Sequence, residues 1–255
     1  MSLQQQVDDY LASQRFLLSA ASFGLHDRAD FCPTCRGSKG EAFPECYQCH
    51  NHRQEALSHG WQLADRTAFI CYGDAKGADQ LGADMFTYKN EGKVHLDART
   101  RIASLLFHTL FHYSYDVNSG YEQPISMITT VPSTRSAQRN QLARIVERVT
   151  VELPGQPPVG QLLRPKVLRG NAERGQRRFD PSLFDCEPVD GHVMIIEDSW
   201  VTGANVQSAA AALHSAGANY VTVLSVARLI YPEVFNLFQL HQHRFISGDP
   251  LQSPF

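Results

Sequence analysis

Residues 192–205 read HVMIIEDSWVTGAN, and the reading of this stretch decides the fold. HVMII (192–196) is a short continuous apolar run, the mark of a strand buried on both faces. Glu197 and Asp198 follow it, then Ser199, Trp200, Val201, Thr202, Gly203 and Ala204, and residues 205–216 form an Ala-rich helical pattern. An acidic pair at the carboxyl end of such a strand falls in the crevice where α/β sheets bind ligands. The helix start behind it offers free backbone N–H groups and the positive end of a dipole to a phosphate. Thr202 adds a hydroxyl, and Gly203 lets the backbone approach an anion closely. Carboxylates for sugar hydroxyls and a phosphate nest on one loop suit a ribose 5-phosphate. On this reading Gly203→Val blocks the phosphate and leaves the fold intact. The plainer alternative is an exposed loop in which Thr202 or Asn205 merely caps a helix.

Outward from this unit, apolar strands alternate with helical patterns. Residues 67–72 (TAFICY), 124–131 (PISMITTV), 162–168 and 220–226 (YVTVLSV) are strand candidates. Residues 3–22, 97–115, 136–149 and 234–242 carry helical periodicity, the last behind Pro232. The alternation predicts an α/β fold with a parallel sheet flanked by helices on both faces.

Four of the six cysteines form one pattern, Cys32-Pro-Thr-Cys35 and Cys46-Tyr-Gln-Cys49, spaced C-x2-C-x10-C-x2-C. Two knuckles, each presenting two thiolates on a tight turn, complete a closed tetrahedral shell for structural zinc. Four thiolates leave no position for water, which argues against catalytic zinc. His50, His52 and His59 lie nearby and read as surface residues, whereas Cys71 and Cys186 read as small buried hydrophobes. The expected organisation is a helical segment over 1–29, a small zinc-ribbon module over 30–60, the main α/β domain over 61–231, and a C-terminal helix and tail over 232–255.

Composition bounds the rest. Hydrophobic residues make up 43% and charged residues 19% of the 255, and no run approaches 18 apolar residues, so no membrane span is expected. The opening MSLQQQVDDY lacks a basic-then-apolar leader, which predicts a cytoplasmic protein. The formal net charge of -3 hides a basic segment. Between Ser133 and Arg178 ten Lys/Arg face three Glu, while the rest of the chain holds 13 basic and 23 acidic residues. Such a segment in an acidic chain suits a polyanion, although solvated Arg on helix faces would give the same count. The zinc module is itself slightly acidic, with Arg36, Lys39 and Arg53 against Asp30, Glu41, Glu45 and Glu55. It suits a fold staple or a homodimer contact better than a phosphate backbone.

VMIIEDSWVTGAN resembles the PRPP-binding signature of type I phosphoribosyltransferases, and with a four-cysteine module ahead of it the chain is similar to ComF-type competence phosphoribosyltransferases. The resemblance covers about residues 30–230 and is concentrated in the knuckles and the 193–205 loop. It implies a type I phosphoribosyltransferase-like sheet and transfer of the phosphoribosyl group of PRPP to a nitrogen nucleophile, with pyrophosphate released. Glu197 and Asp198 would take the ribose hydroxyls, with Asp198 near C1. Val201, Thr202, Gly203, Ala204 and Asn205 would cradle the 5′-phosphate. Tyr88-Lys89 stands where the family has a Lys-aromatic pair, and Val131-Pro132-Ser133 with Arg135 and Arg139 resembles its pyrophosphate loop. Arg135, Arg139 and Lys89 would neutralise pyrophosphate, and Mg2+ would come with PRPP. Gln176-Arg177-Arg178-Phe179 lies where a basic hood precedes the PRPP strand.

The departures are specific. Trp200 and Val201 replace a small aliphatic residue and Thr, and Asn205 replaces Thr. Trp200 reads as packing in preference to stacking on a base. Two other readings stand beside the enzyme: a catalytically weak PRPP or nucleotide sensor linked to DNA uptake, and a zinc-ribbon nucleic-acid adaptor, the less favoured of the two.

Overall fold

The computed structural model describes residues 1–14, 16–20, 31–90, 95–133, 140–166, 178–231 and 253–254. Its centre is a five-stranded sheet. The strands are β1 (Leu18–Ser19), β2 (Arg66–Asp74), β3 (Ile125–Thr130), β6 (His192–Trp200) and β7 (Tyr220–Ile230), in the order β1-β2-β7-β6-β3. The last four run parallel, and β1 adds an antiparallel edge. β4 (Leu163–Pro165) and β5 (Phe184–Cys186) form a separate antiparallel pair. The expected α/β architecture with a parallel sheet and a four-cysteine cluster ahead of it is present.

Both faces of the sheet are covered, and this explains the largely apolar composition of residues 193–196 in β6 and 221–227 in β7. One face packs on helices α1 (Leu3–Ser13), α3 (Gln80–Thr87), α4 (Leu96–His112) and α6 (Gln141–Val151). In α6 the buried residues Leu142, Ile145, Val146 and Val149 repeat at helical spacing and form one apolar stripe. The other face packs on α7 (Ala204–Ser215), whose run of small alanines lets it lie close to the strands. Cys32, Cys35 and Cys49 belong to this second core, together with Phe69 and Tyr72 of β2 and Trp200 of β6. The cysteine cluster therefore rests on the sheet itself.

Several expectations are corrected. The first helix ends at Ser13, and β1 follows at Leu18–Ser19, so residues 16–20, among those described, do not extend the helix. Cys46 and Cys49 lie at the start of helix α2 (Tyr47–His59), with Cys46 as its N-cap, so the second pair is a helix end and only the first pair a turn. The helix expected from residue 97 ends at His112, and a short α5 (Ser114–Asn118) follows. α3 was not legible in the sequence. His52 is buried against Phe179, with ring centroids 5.6 Å apart, and is no surface residue. Cys71 is fully buried as expected, but Cys186 is only half-buried. Residues 234–242 lie outside the described residues. Among the described residues no helix is long and apolar enough to cross a membrane.

Buried histidines give the fold a pH dependence. His192 is fully buried at the start of β6, with Nδ1 3.1 Å from the Gln123 carbonyl and Nε2 2.8 Å from Thr222 Oγ1. Burial holds the imidazoles of His192 and His52 below the ordinary histidine range. In acid the unfolded chain takes up these protons before the native state does. Their contribution is thus complete above the unfolded value of about 6.5 and declines as pH falls below it. Urea unfolding should give a lower free energy at pH 5.5 than at pH 7.5, with a smaller drop in His192→Gln. A flat profile in wild type would contradict this.

Candidate functional site

β6 runs four residues further than the apolar pattern alone indicates, so Glu197 and Asp198 lie within the strand and not in the loop behind it. Ile196 pairs with Thr130 and Ser199 with Ala227, which brings the ends of β3, β6 and β7 to one edge of the sheet. Val131, Pro132 and Ser133 leave β3 at this edge, all partly buried. Arg135, Arg139, Gln176 and Arg177 lie outside the described residues. Arg178 is exposed and 3.5 Å from Glu55 of α2, while Phe179 is buried edge-on against Trp61.

Asp198 is buried and holds three side-chain partners. Tyr88, at the end of α3, donates its hydroxyl to Asp198 Oδ2 at 2.7 Å, and Ser199 Oγ donates to Oδ1 at 3.0 Å. Lys89 forms an ion pair with the same Oδ2. The sequence pair Tyr88-Lys89 is thus brought to the acidic pair across 110 residues of chain. Arg99 holds the backbone that presents them, donating through Nε to the Tyr88 carbonyl at 3.0 Å and also to the Asn90 carbonyl.

These contacts split the two carboxyls. Burial pushes the Asp198 carboxyl up, but the Lys89 ammonium and the bonds from Lys89, Tyr88 and Ser199 outweigh it and hold it below its ordinary value. Glu197 is pushed well above the carboxylate range by burial and by the neighbouring Asp198 charge, with Lys89 offsetting only part. Tyr88 is pushed up by burial and by Asp198, so it stays a hydroxyl donor. Adjacent titratable groups driven apart in this way are a frequent property of reactive sites.

The loop after Asp198 has the expected helix start. Gly203 is the N-cap of α7 at φ 80°, with no side-chain cap, and Thr202 Oγ1 accepts from the Ala204 N–H at 3.4 Å. Asn205 is half-buried in the first turn. Gly203 is needed for a second reason that the sequence does not show. A Cβ there would come 2.2 Å from the Trp200 ring, besides the strain of a left-handed backbone. Gly203→Val would therefore perturb the fold, which corrects the expectation that it leaves the fold intact. Trp200 is 1% exposed and edge-on to Phe69 at 5.3 Å, so it packs in the core.

Arg228 of β7 links this loop to the cysteines and was not singled out in the sequence. Its buried guanidinium donates to the carbonyls of Cys35 (2.6 Å), Trp200 (3.0 Å), Val201 (3.1 Å) and Leu229 (2.6 Å), and lies 3.6 Å from Cys35 Sγ. Gly37 makes room for it, since a Cβ there would fall 2.3 Å from Arg228 Nη2. Only an Arg in the interior of an otherwise apolar strand hinted at this role. A five-donor fork serves several carbonyls where a lysine could not. Arg228→Met should leave those acceptors buried without donors and cost roughly 3–5 kcal/mol. Chemical denaturation reads this directly, and a loss under about 1 kcal/mol would contradict the account.

The four cysteine sulfurs lie within 4.8 Å of one another, with Cys35 and Cys46 Sγ 3.6 Å apart. Tetrahedral Zn–S bonds of about 2.3 Å place sulfurs about 3.75 Å apart, so the cluster fits zinc with little movement. The knuckle is closed by Arg36 N–H to Cys32 O and Cys32 N–H to Gly37 O, both 2.8 Å. Hydrogen bonds from the other thiols hold Cys32 far below an ordinary thiol, and the same neighbours push Cys49 far up. All four could be thiolates together in this buried place only around a cation.

These features define an α/β protein with a four-cysteine cluster able to hold zinc on one face of its parallel sheet and a charged site at the carboxyl edge. No family model matches the chain, and no curated protein matches it.

Proposed function

We propose that the chain binds PRPP at the carboxyl edge of β6 and transfers its phosphoribosyl group to a nitrogen nucleophile, as a ComF-like phosphoribosyltransferase. The observation that carries this reading is the convergence of Tyr88 and Lys89 on Asp198, one turn ahead of the uncapped start of α7. A carboxylate held ionised beside a free helix N-terminus is complementary to a sugar diol carrying a 5′-phosphate.

In this mechanism Glu197 and Asp198 accept the ribose 2′- and 3′-hydroxyls, and the N–H groups of residues 203–205 with Thr202 take the 5′-phosphate. The nucleophile's lone pair forms the bond to C1 while the bond from C1 to the pyrophosphate oxygen breaks, its electron pair leaving with pyrophosphate. Asp198, kept charged by Lys89 and Tyr88, stabilises the positive charge that grows at C1. Lys89, Arg135 and Arg139, with Ser133 on the same loop, supply cationic and hydroxyl partners for pyrophosphate. The carboxylate oxygens at this edge suit a hard cation, and Mg2+ carried by PRPP would neutralise the leaving group's charge.

A catalytically weak PRPP or nucleotide sensor is the second reading, favoured by Val201 and Asn205, which remove hydroxyls from the phosphate loop. Pyrophosphate release from PRPP and Mg2+, assayed against a panel of amines and bases, separates the two. Acceptor-dependent release supports the enzyme. PRPP binding with no release from any acceptor supports the sensor.

A further inference from the structure

On the face of the sheet opposite the cysteines, α1 lies against α4, with Leu11 buried and Val7 and Tyr10 packed on the same core. At this contact three metal-ligating side chains meet. His108 and His112 are four residues apart on α4 and so point to the same side of the helix, one turn from each other. Asp8 of α1 reaches between them. His108 Nδ1 is 2.8 Å from Asp8 Oδ1, and His112 Nε2 is 3.2 Å from Oδ1 and 3.1 Å from Oδ2.

We propose that Asp8, His108 and His112 form a second metal site, for a divalent transition ion of the zinc class, which fastens α1 to α4. The site stands independently of the PRPP reading. The donor atoms all lie within 4.8 Å of one another. Metal–ligand bonds of about 2.0–2.2 Å in tetrahedral geometry set donors about 3.3–3.6 Å apart. The His–Asp separations of 2.8–3.2 Å are shorter by up to several tenths of an ångström, a gap that small side-chain rotations close.

The chemistry of the set is selective. Two imidazoles and one carboxylate suit zinc, nickel or copper(II), whereas Mg2+ prefers oxygen and its own water. In both contacts the imidazole nitrogen facing the Asp8 carboxylate donates a proton to it. An ion would replace those two protons together and would be balanced in part by the Asp8 charge. The site is also reachable, since the Asp8 and His112 side chains keep 28% and 29% of their exposure. A fourth position is left to water. Two ligands on one helix and one on another mean that the ion binds only while α1 is docked, so binding and docking are linked.

The test uses the full chain with its four-cysteine site already loaded, checked at about one zinc per chain. Calorimetric titration with Zn2+ in excess Mg2+ should show one further zinc per chain, and hydrogen exchange of the α1 amides should slow as it binds. His112→Ala removes a ligand from a half-exposed position without opening the core. It should weaken the second zinc at least ~100-fold, beyond the loss typical of an outer partner. Asp8→Asn keeps the size and an acceptor but not the charge, and should also weaken it. Wild type taking up no zinc beyond the first, or both variants binding the second zinc as wild type does, would overturn the proposal.

Discussion

Cys46→Ser is expected to abolish zinc binding at the four-cysteine site, about one ion per chain, and to lower the unfolding free energy by more than about 4 kcal/mol. Serine is itself a favourable N-cap, so the start of α2 is preserved and the loss reports on the metal. The size of the effect follows from where the cluster sits. Cys32, Cys35 and Cys49 are part of the core shared with Phe69, Tyr72 and Trp200, so a metal-free cluster leaves polar sulfurs and a distorted knuckle inside the protein. The disturbance should also spread. Arg228 holds Cys35 and the carbonyls of Trp200 and Val201 with one guanidinium, so the variant should bind phosphate-bearing ligands more weakly although the cysteines do not line that site. Elemental analysis with denaturant unfolding checks both parts. A zinc-free variant as stable as wild type would show that the cluster is not a structural metal site.

Asp198→Asn should weaken PRPP binding by about 10- to 100-fold and, beyond that, lower kcat by about 100-fold or more. Asparagine keeps the size and an oxygen for the Tyr88 hydroxyl, and removes the charge that Lys89 now balances. Both states of the substrate lose a charged hydrogen bond, worth roughly 1.5–3 kcal/mol. Only the transition state also loses the opposing charge near C1, so the deficit concentrates in kcat. Glu197→Gln serves as the comparison. Glu197 is driven toward its neutral form by burial and by Asp198, so an amide there changes less, and the expected deficit is smaller and mainly in KM. An active enzyme whose Asp198→Asn variant kept full kcat would refute the assigned role.

The sheet was legible because its strands are buried on both faces: HVMII and YVTVLSV are short, largely apolar runs without an Asp, Glu, Lys or Arg to suggest an exposed helix face. The same criterion failed at the ends of strands. β6 continues through Glu197–Trp200 because main-chain pairing with β7 persists where the side chains become polar, and periodicity does not report backbone bonds. α3 was missed since eight residues, QLGADMFT, give barely two turns of pattern and include a glycine. At the site, the local motif was readable while the long-range wiring was not. Glu197, Asp198 and the helix start behind Gly203 are contiguous in sequence. Tyr88 and Lys89 acquire their meaning only when α3 ends beside β6, and Arg228 only when β7 runs between the knuckle and the loop. Trp200 illustrates a third limit. The residue type leans toward a core role without excluding base stacking, and its neighbours Gly203 and Phe69 decide for the core.

The central claim is that the start of α7 holds a phosphate, and Asn205→Asp tests it with two effects of opposite sign. A carboxylate in the first turn of a helix interacts favourably with the dipole, so the variant should be about 0.3–1 kcal/mol more stable than wild type. The same charge repels a phosphate at that helix start, so PRPP with Mg2+ should bind at least ~10-fold more weakly, a difference of about 1.4 kcal/mol. The measurement is isothermal titration of PRPP and Mg2+ into zinc-loaded wild type and Asn205→Asp, with a melting curve for each. The account predicts saturable binding to wild type, weakened binding to the variant, and a melting temperature that does not fall. No binding to wild type, or equal affinity in a folded Asn205→Asp, would contradict it.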